Sequence, residues 1–578
     1  MPKISRKIKS EVLQLTRTRF NQAKDYQTPI FNDFSEYYEL YRSFYNKNKQ
    51  SYNGRANLFI PIVYQTIENI VPRMVASKPK LETLPTKPGD RVNARLMDQV
   101  LDWQYYNGNW KRVFKSWVRE TLMYGNGFVK TTWDFTLKKP KIVIKDIFDM
   151  WIDPTSENIH DGWIIESTEM NIDDIRDNEK FDPEERKLVY IQTQQNEYQI
   201  RRDSVKSLSK PKQSDKKMVK LWQHWMPSYD MDDGQGNKPA VALVANGEFV
   251  LQVSRNPFSH ARAPYSMIKD TDVPNEFWAI GEIEPLKSLQ YELNDVRNQR
   301  MDNVSQIIHK KWIIANNSGI NEKELRAAPY GIVHANDTTD AGIRQIKEQD
   351  VTASAYQEEQ IIKNDAQTTS GITDPFIGVG GGGTKGGETA TGLALLQEAA
   401  GTRIKYKIDN FEDSLKDLGE QVIALNQQYL PKDIVIRIVG EGGIEWKKIS
   451  KKDIMNNFDL KVTAGSQTAN NKIANRAEAR ELLATIAPFA QIAGVDLSPI
   501  LKYIFDTYGD IKNVEEVFAQ VQGAPMPEGI TPQEVGGGAT GGQLGGTNPN
   551  SGAPQLEGLA SSQSMGGNTS IPIERAAG

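Results

Sequence analysis

Residues 282–312 read EIEPLKSLQYELNDVRNQRMDNVSQIIHKKW, with no glycine and one proline, Pro285, placed where the first turn of a helix accepts it. Leu286, Leu289, Leu293 and Val296 recur at three-four-three spacing, and Met301, Val304 and Ile308 continue the stripe. The opposite side carries Asn, Gln, Arg and Asp. This pattern predicts one helix, about 40 Å long over 286–312 at ~1.5 Å per residue. Such a length suits a strut better than a helix packed inside a globule. Downstream, WIIAN (312–316) and YGIVHAN (330–336) read as strands around a short helix, NEKELRAA (321–328). A second polar helix follows over 351–370, holding Ala353, Tyr356, Ile361 and Ile362 among Gln and Glu. Two long helices therefore bracket a small αβ module.

Working outward, GITDPFIGVGGGGTKGGETATG (371–392) is a glycine-rich loop of a length usually kept for function or disorder. A long helix resumes at 391 and ends before Pro431, and DIVIRIVG (433–440) and FDLKVTAG (458–465) read as strands. AEARELLATIAPFAQI, PILKYIFDTYGDI and VEEVFAQVQ form a helical unit over 466–522. Beyond Gly523, Gly, Ser, Pro, Asn and Gln dominate, which predicts disorder.

Upstream, residues 1–50 read as helical. Their aromatic patch FSEYYELYRSFY (34–45) carries more acids than a nucleic-acid stacking surface tolerates, so core or subunit contact is favoured. LFIPIVYQTIENIVPRMV (58–75) reads as a buried helix, too interrupted to span a membrane. The prolines of SKPKLETLPTKPGD impose an extended segment. NGN at 107–109 splits 91–123 into two helices, GFVKTTWDF and PKIVIKDIFDMWIDP read as strands, and 171–200 as helical. MVKLWQHWMPSY, KPAVALVA and EFVLQVS read as strands, the last two joined at Asn246-Gly247, a strong hairpin mark.

Bulk properties set limits. The chain has 578 residues, 65.1 kDa, a formal charge of −4 and no cysteine. Several structural units are expected. The near-neutral charge argues against gripping nucleic acid over the whole surface, but not against a channel through which it slides. Disulfides and thiolate metal sites are excluded, and a reducing compartment fits. The basic start MPKISRKIKS is followed by no unbroken apolar stretch, so a soluble protein without a secretory signal is expected.

A phosphate loop needs GxxxxGK[ST]; here Thr384 precedes Lys385 and Gly386 follows it. Gly378, Gly380 and Gly383 match G-x-G-x-x-G, as almost any glycine run does, without a βαβ unit. His160, His224, His260, His309 and His334 are scattered singly, with no metal-binding spacing. Asp230, Asp232 and Asp233 open like a calcium loop, but Val241 stands where the closing Glu is needed. The acidic pairs Asp173/Asp174 and Glu358/Glu359 are explained by helix-surface solvation. No catalytic set, cofactor or metal site is expected, and the chain reads as a non-enzyme.

At NPFSHARAPYSMIKDTDVPNEFWAIGEIEPLKSLQYELNDVRNQRMDN the sequence resembles the portal family of tailed bacteriophages. The features are Pro264–Tyr265, the turn from Pro274 to Gly281, and Leu289, Gln290, Glu292, Asn294 and Asn298 on the helix. YGNGFVKTTWDF (124–135), MWIDPTS (150–156), ITDPFIGVG and ETATGLALLQEAAGTRI add to it, and the likeness runs from about Asn57 to Gly465.

The resemblance implies an α+β portal fold with this division. An N-terminal helical arm takes 1–56, an α+β wing 57–281, a stem helix 282–312, a clip 313–350 and a second stem helix 351–372. A tunnel loop takes 373–387, the wing helix and strands 388–465, a helical crown 466–522 and a disordered tail 523–578. It implies a homododecameric ring at one capsid vertex of the virion, assembled in the host cytoplasm, that passes double-stranded DNA during packaging, retention and ejection. Its partners are then further copies of itself, the terminase large subunit, major capsid and scaffold proteins, and head-tail adaptor or tail proteins, with no membrane. Twelve helices ~10 Å apart leave a hole about 28 Å wide, enough for a duplex, and polar, mixed-charge stem faces suit a low-friction wall.

The tunnel loop offers Asp374, Phe376, Ile377, Gly380, Gly383, Thr384 and Lys385 toward DNA. For Lys385, a phosphate contact and a solvated loop charge both stay open. The clip offers Glu322, Glu324 and Arg326 for docking the packaging ATPase or an adaptor. The basic N-terminal segment either wraps a neighbouring subunit or frays. Two other classes stay open: another virion structural or adaptor protein, and a packaging ATPase or nuclease, which needs a Walker-type lysine or a carboxylate metal cluster that the sequence lacks.

Overall fold

The computed structural model describes residues 4–44, 56–76, 78–87, 90–191, 197–206, 217–227, 240–308, 311–314, 343–346, 352–372, 390–430, 433–440, 443–450, 454–455 and 458–463, the side chains of 199, 206, 240, 311, 343–345, 352–353, 390–400, 433–450 and 463 excepted. All lie in the first of two compact units, Met1–Glu515, the second being Glu516–Gly578. The architecture is mixed α+β.

Helix α1 (Arg6–Tyr41) starts at Ser5, whose hydroxyl accepts from the Ile8 N–H at 3.3 Å, an ordinary N-cap. Its buried stripe includes Val12, Thr16, Ala23, Gln27, Phe31, Phe34, Tyr37 and Leu40. The aromatic patch that begins at Phe34 thus enters the core: the Phe34 ring lies 5.4 Å from Tyr124 and 5.6 Å from Trp278. Helix α2 (Ile62–Met74) is shorter than the apolar run suggested, because 58–60 are not helical and the chain turns at Pro61 (φ −83°, ψ 62°), where the Ile62 N–H reaches Ile60 O at 2.9 Å. Strand β1 (Lys80–Pro85) follows, then α3 (Arg91–Asn107) and α4 (Trp110–Tyr124), separated where Asn109 turns left-handed at φ 56°. Trp110, Phe114, Trp117 and Leu122 of α4 are fully buried, so this helix is the centre of the main core.

Two antiparallel sheets complete the body, the first packed on α4 and the second against α1. Strands β2 (Asn126–Asp134), β3 (Lys139–Lys145) and β9 (Tyr265–Lys269) form one, in the order β3-β2-β9. The other is a meander of β4 (Met150–Ile152), β5 (Ile164–Asn171), β6 (Met218–Met226), β7 (Ala240–Ala245) and β8 (Phe249–Arg255). Asn246 and Gly247 close the β7–β8 hairpin with φ 52° and 70°, the two left-handed residues its tight turn requires. Residues 171–200 do not form one helix. They break into α5 (Ile172–Asp177) and α6 (Glu185–Leu188), and α7 (Glu197–Lys206) begins only at their end, because Pro183 and the Asn178 and Asp182 turns interrupt the chain.

The strut is α8 (Ile283–Ile308), followed by β10 (Lys311–Ile314) and its antiparallel partner β11 (Ile343–Ile346), then α9 (Thr352–Ser370). Helix α10 (Ala390–Tyr429) returns across the core, burying Phe411, Leu415, Leu418 and Val422. Strands β12 (Asp433–Gly440) and β13 (Gly443–Ser450) form a hairpin, and β14 (Phe458–Thr463) pairs with β1. The sequence signal missed β11 and β13, whose IRQI and IEWKKIS lack a clean apolar run. Among the described residues no helix is long and apolar enough to cross a membrane.

The arm is tied to the meander by a buried histidine. His224 Nδ1 lies 2.8 Å from Thr16 Oγ1 and Nε2 3.4 Å from Arg19, and burial, then the Arg19 charge, holds its pKa well below 6.5. A group whose folded pKa is depressed stabilises above its unfolded value and loses that contribution as pH falls. Urea stability should therefore drop as pH goes below 6.5, by at most about 1.4 kcal/mol per pH unit for this group. His224→Gln should flatten that part of the profile. An unchanged slope in the variant removes His224 as the cause.

Candidate functional site

The functional geometry concentrates where α8 leaves the core. Two backbone segments meet there more closely than side chains permit. Gly125 ends α4 at φ +86°, and a Cβ on it would stand 1.8 Å from the Ala279 carbonyl oxygen. A Cβ on Gly281 would stand 2.6 Å from the Gly125 nitrogen. This contact lets the Glu282 N–H reach Leu122 O at 2.8 Å and the Asp270 N–H reach Gly125 O at 2.8 Å. Asn126 reads the same turn with both ends of its amide, donating to Phe277 O at 3.1 Å and accepting from the Ala279 N–H at 2.7 Å. The turn before α8 is thus sewn onto α4 and β2.

A buried charge cluster adds the second anchor. Lys407 of α10 reaches Asp270, just after β9, and Glu282 Oε1 at 2.7 Å, just before α8. Two carboxylates face one ammonium with almost no solvent. Burial pushes the Asp270 carboxyl up to about 7, against the pull of Lys407 and with a further push from Glu282. One turn earlier on α10, Arg403 donates to Thr368 O at 3.1 Å and Thr369 O at 2.8 Å, occupying carbonyls that end α9 without helical partners. Adjacent turns of α10 therefore hold the start of α8 and the end of α9.

The third anchor is a row of polar side chains on α8 facing the extended segment 56–61. Gln290 Oε1 accepts from the Ile62 and Val63 N–H groups at 3.1 and 3.3 Å, capping α2 where the N-cap residue Pro61 provides no side-chain bond. Asn294 Oδ1 accepts from Ile60 N–H at 3.0 Å, Asn298 Oδ1 from Leu58 N–H at 2.7 Å, and Asp302 from Ala56 N–H at 2.5 Å. Gln290 and Asn298 also donate back, to Ile60 O at 2.6 Å and Leu58 O at 3.1 Å. Each such bond contributes about 1 kcal/mol net. Gln290, Asn294 and Asn298 are buried, so this part of the polar face of α8 meets chain rather than a channel.

The outer half of α8 behaves differently. Arg297 and Arg300 reach Glu359 of α9 at 3.1 and 2.5 Å, and Lys363 joins at 2.8 Å. Val296, Arg300 and Asn303 share a cleft with Ser354, Ala355 and Glu358, so the two helices lie side by side here. Past Arg300 no α8 residue is buried.

Of the stripe read from spacing, Leu286 and Leu293 are buried, and Leu289, Val296 and Val304 are partly so. Met301 and Ile308 are exposed, at 36% and 67%. Among the described residues, nothing covers either of them fully. The tunnel-loop set, Asp374, Phe376, Ile377, Gly380, Gly383, Thr384 and Lys385, lies outside the described residues, as do Glu322, Glu324 and Arg326, the crown 466–522 and the tail 523–578. Sequence reasoning missed Lys407, Asp270 and Arg403 as anchors. Nothing local marks them, since each partner is distant in sequence. The four-residue recurrence of Gln290, Asn294, Asn298 and Asp302 is visible in the sequence, where it belongs to the polar face assigned to a low-friction wall. Among the described residues no cluster of His, Asp and Glu could hold a metal ion.

The chain thus combines a mixed α+β body with a pair of long helices, α8 and α9. The model of the phage SU10 portal protein family matches residues 12–145 and 136–536. The chain belongs to that family. It is a phage portal protein and a virion component of a structural family. A chain in a solved structure titled "Neck of empty GTA particle computed with C6 symmetry" is similar at 11% identity and a TM-score of 0.38, over 74% of this chain and 86% of that one.

Proposed function

We propose that the protein assembles into a closed ring, twelve copies in the family's usual form, whose stem helices surround a passage for double-stranded DNA at one capsid vertex. The observation that carries this reading is the stem hairpin. Helix α8 is about 39 Å long at ~1.5 Å per residue, is clamped at its root, and projects with α9 away from the core. Met301, Ile308, Tyr356 and Ile361, on the two helices, are all at least 36% exposed. A two-helix hairpin with that much apolar surface is not stable in water by itself, and side-by-side repetition around an axis covers it.

In this reading the terminase large subunit docks on the clip, 313–350, through Glu322, Glu324 and Arg326. The loop 373–387 faces the axis, with Lys385 near the phosphates. Capsid, scaffold and tail or adaptor proteins meet the outer faces. The protein acts in packaging, retention and ejection of the genome and carries no catalytic step itself.

Deleting 379–387 is expected to leave rings intact in negative stain while lowering DNA packaged or retained in an in vitro packaging reaction. Full packaging by the deletion ring removes the loop from the mechanism. Reversing the charges at Glu322, Glu324 and Arg326 should weaken ATPase binding to the ring, and unchanged binding places the dock elsewhere.

A further inference from the structure

The row on α8 reads the backbone of 56–61, not its side chains. Apart from a second contact to the Val63 N–H, where α2 has begun, and a Gln290–Asn294 bond within the row, its bonds go to main-chain N–H or C=O groups of alternate residues: Ala56, Leu58, Ile60 and Ile62. The match has a geometric basis. Four residues of helix rise ~6.0 Å and two residues of extended chain ~6.6 Å, so Gln290, Asn294, Asn298 and Asp302 keep step with every second residue of a strand running the opposite way. The drift of about 0.6 Å per rung is small enough for side-chain torsions to absorb. The skipped positions fit the same scheme. Asn57 is exposed and its N–H takes no part in the row, and Pro61, which has no N–H, falls on a skipped position.

We propose that Gln290, Asn294, Asn298 and Asp302 form a binding site for an extended peptide backbone, occupied by residues 56–61 of the same chain, and that these four are positioning residues that fix the register of the α2 entry against the stem root. Leu58 is 42% exposed and contributes little by burial, so the identity of its side chain is free while its N–H is not. Phe59 packs against the main core and holds the segment near α8, whereas the row decides which residue faces which.

The test is a proline pair read by hydrogen exchange in the full-length chain. Leu58→Pro removes an N–H the site uses, and Asn57→Pro removes one it does not; both keep the extended backbone that precedes a proline. In the parent chain the Leu58, Ile60 and Ile62 amides should be protected although they pair with no strand. Leu58→Pro is expected to speed exchange at Ile60 and Ile62 by about 100-fold or more, while Asn57→Pro and Leu58→Ala leave it within about threefold. Should Leu58→Pro fail to fold, Asn294→Ala and Asn298→Ala give the same reading one rung at a time. The first should deprotect Ile60 and the second Leu58, with distant core amides unchanged. Equal effects of the two prolines, or unprotected Leu58, Ile60 and Ile62 in the parent chain, overturn the proposal without bearing on ring formation.

Discussion

Alanine at Gly125 is expected to lower the unfolding free energy by about 3 kcal/mol or more, the largest effect of any single methyl group added near the start of α8. Two costs coincide at this position. The φ of +86° is one that side chains rarely adopt, and the new Cβ meets the Ala279 carbonyl oxygen at 1.8 Å and its carbon at 2.6 Å. Those are backbone atoms, so no rotamer change can make room. Relief requires pulling the 277–281 turn off α4, which breaks the Glu282–Leu122 and Asp270–Gly125 hydrogen bonds. Gly401 supplies the control: it lies in α10 with nothing within 4 Å of its Cβ position. Gly401→Ala should stabilise by roughly 0.5–1 kcal/mol through helix propensity alone. Urea midpoints followed by tryptophan fluorescence compare the three chains. A Gly125→Ala midpoint equal to the parent's contradicts the close approach.

Lys407→Met should destabilise by about 3–5 kcal/mol, because it leaves Asp270 and Glu282 buried without a counter-ion. The side chains of Lys407, Asp270 and Glu282 are only 9%, 1% and 11% exposed, so water cannot replace the ammonium. The pH dependence identifies the mechanism. Asp270's folded pKa is raised from 3.8 to about 7, so its contribution is complete below 3.8 and declines as pH rises toward 7. Losing Lys407 raises it further. The deficit of the variant should therefore be greatest at neutral pH and shrink on acidification. Adding Asp270→Asn to Lys407→Met should recover part of the loss. A pH-independent deficit would mean that lost packing, not stranded charge, is responsible.

These anchors explain how much of the molecule the sequence discloses. The break at 107–109, the Asn246-Gly247 hairpin and the long helices over 283–308 and 390–429 are local events, written in turn residues and apolar period, and they were legible. The resemblance motifs were legible as words without their meaning. Gly125 and Gly281 are glycines because two backbones touch, and Gln290, Asn294 and Asn298 are amides because they bind a backbone. The non-helical stretch before α2 was harder to read: LFIPIV is apolar throughout, Pro61 gives the one local sign against helix at 58–60, and the partners that hold it on α8 lie more than 200 residues away. Lys407 has the same character. A lysine in the middle of a long helix ordinarily points to water, and its two acids come from different parts of the chain.

The most direct test of the whole account is an electron-microscopic image of the purified full-length protein, with density assigned to 283–308 and 352–370. The expected particle is a closed ring in which those two helices from each copy line a hole about 28 Å wide. A stable monomer, with the outer half of 283–308 enclosed in its own core, contradicts it.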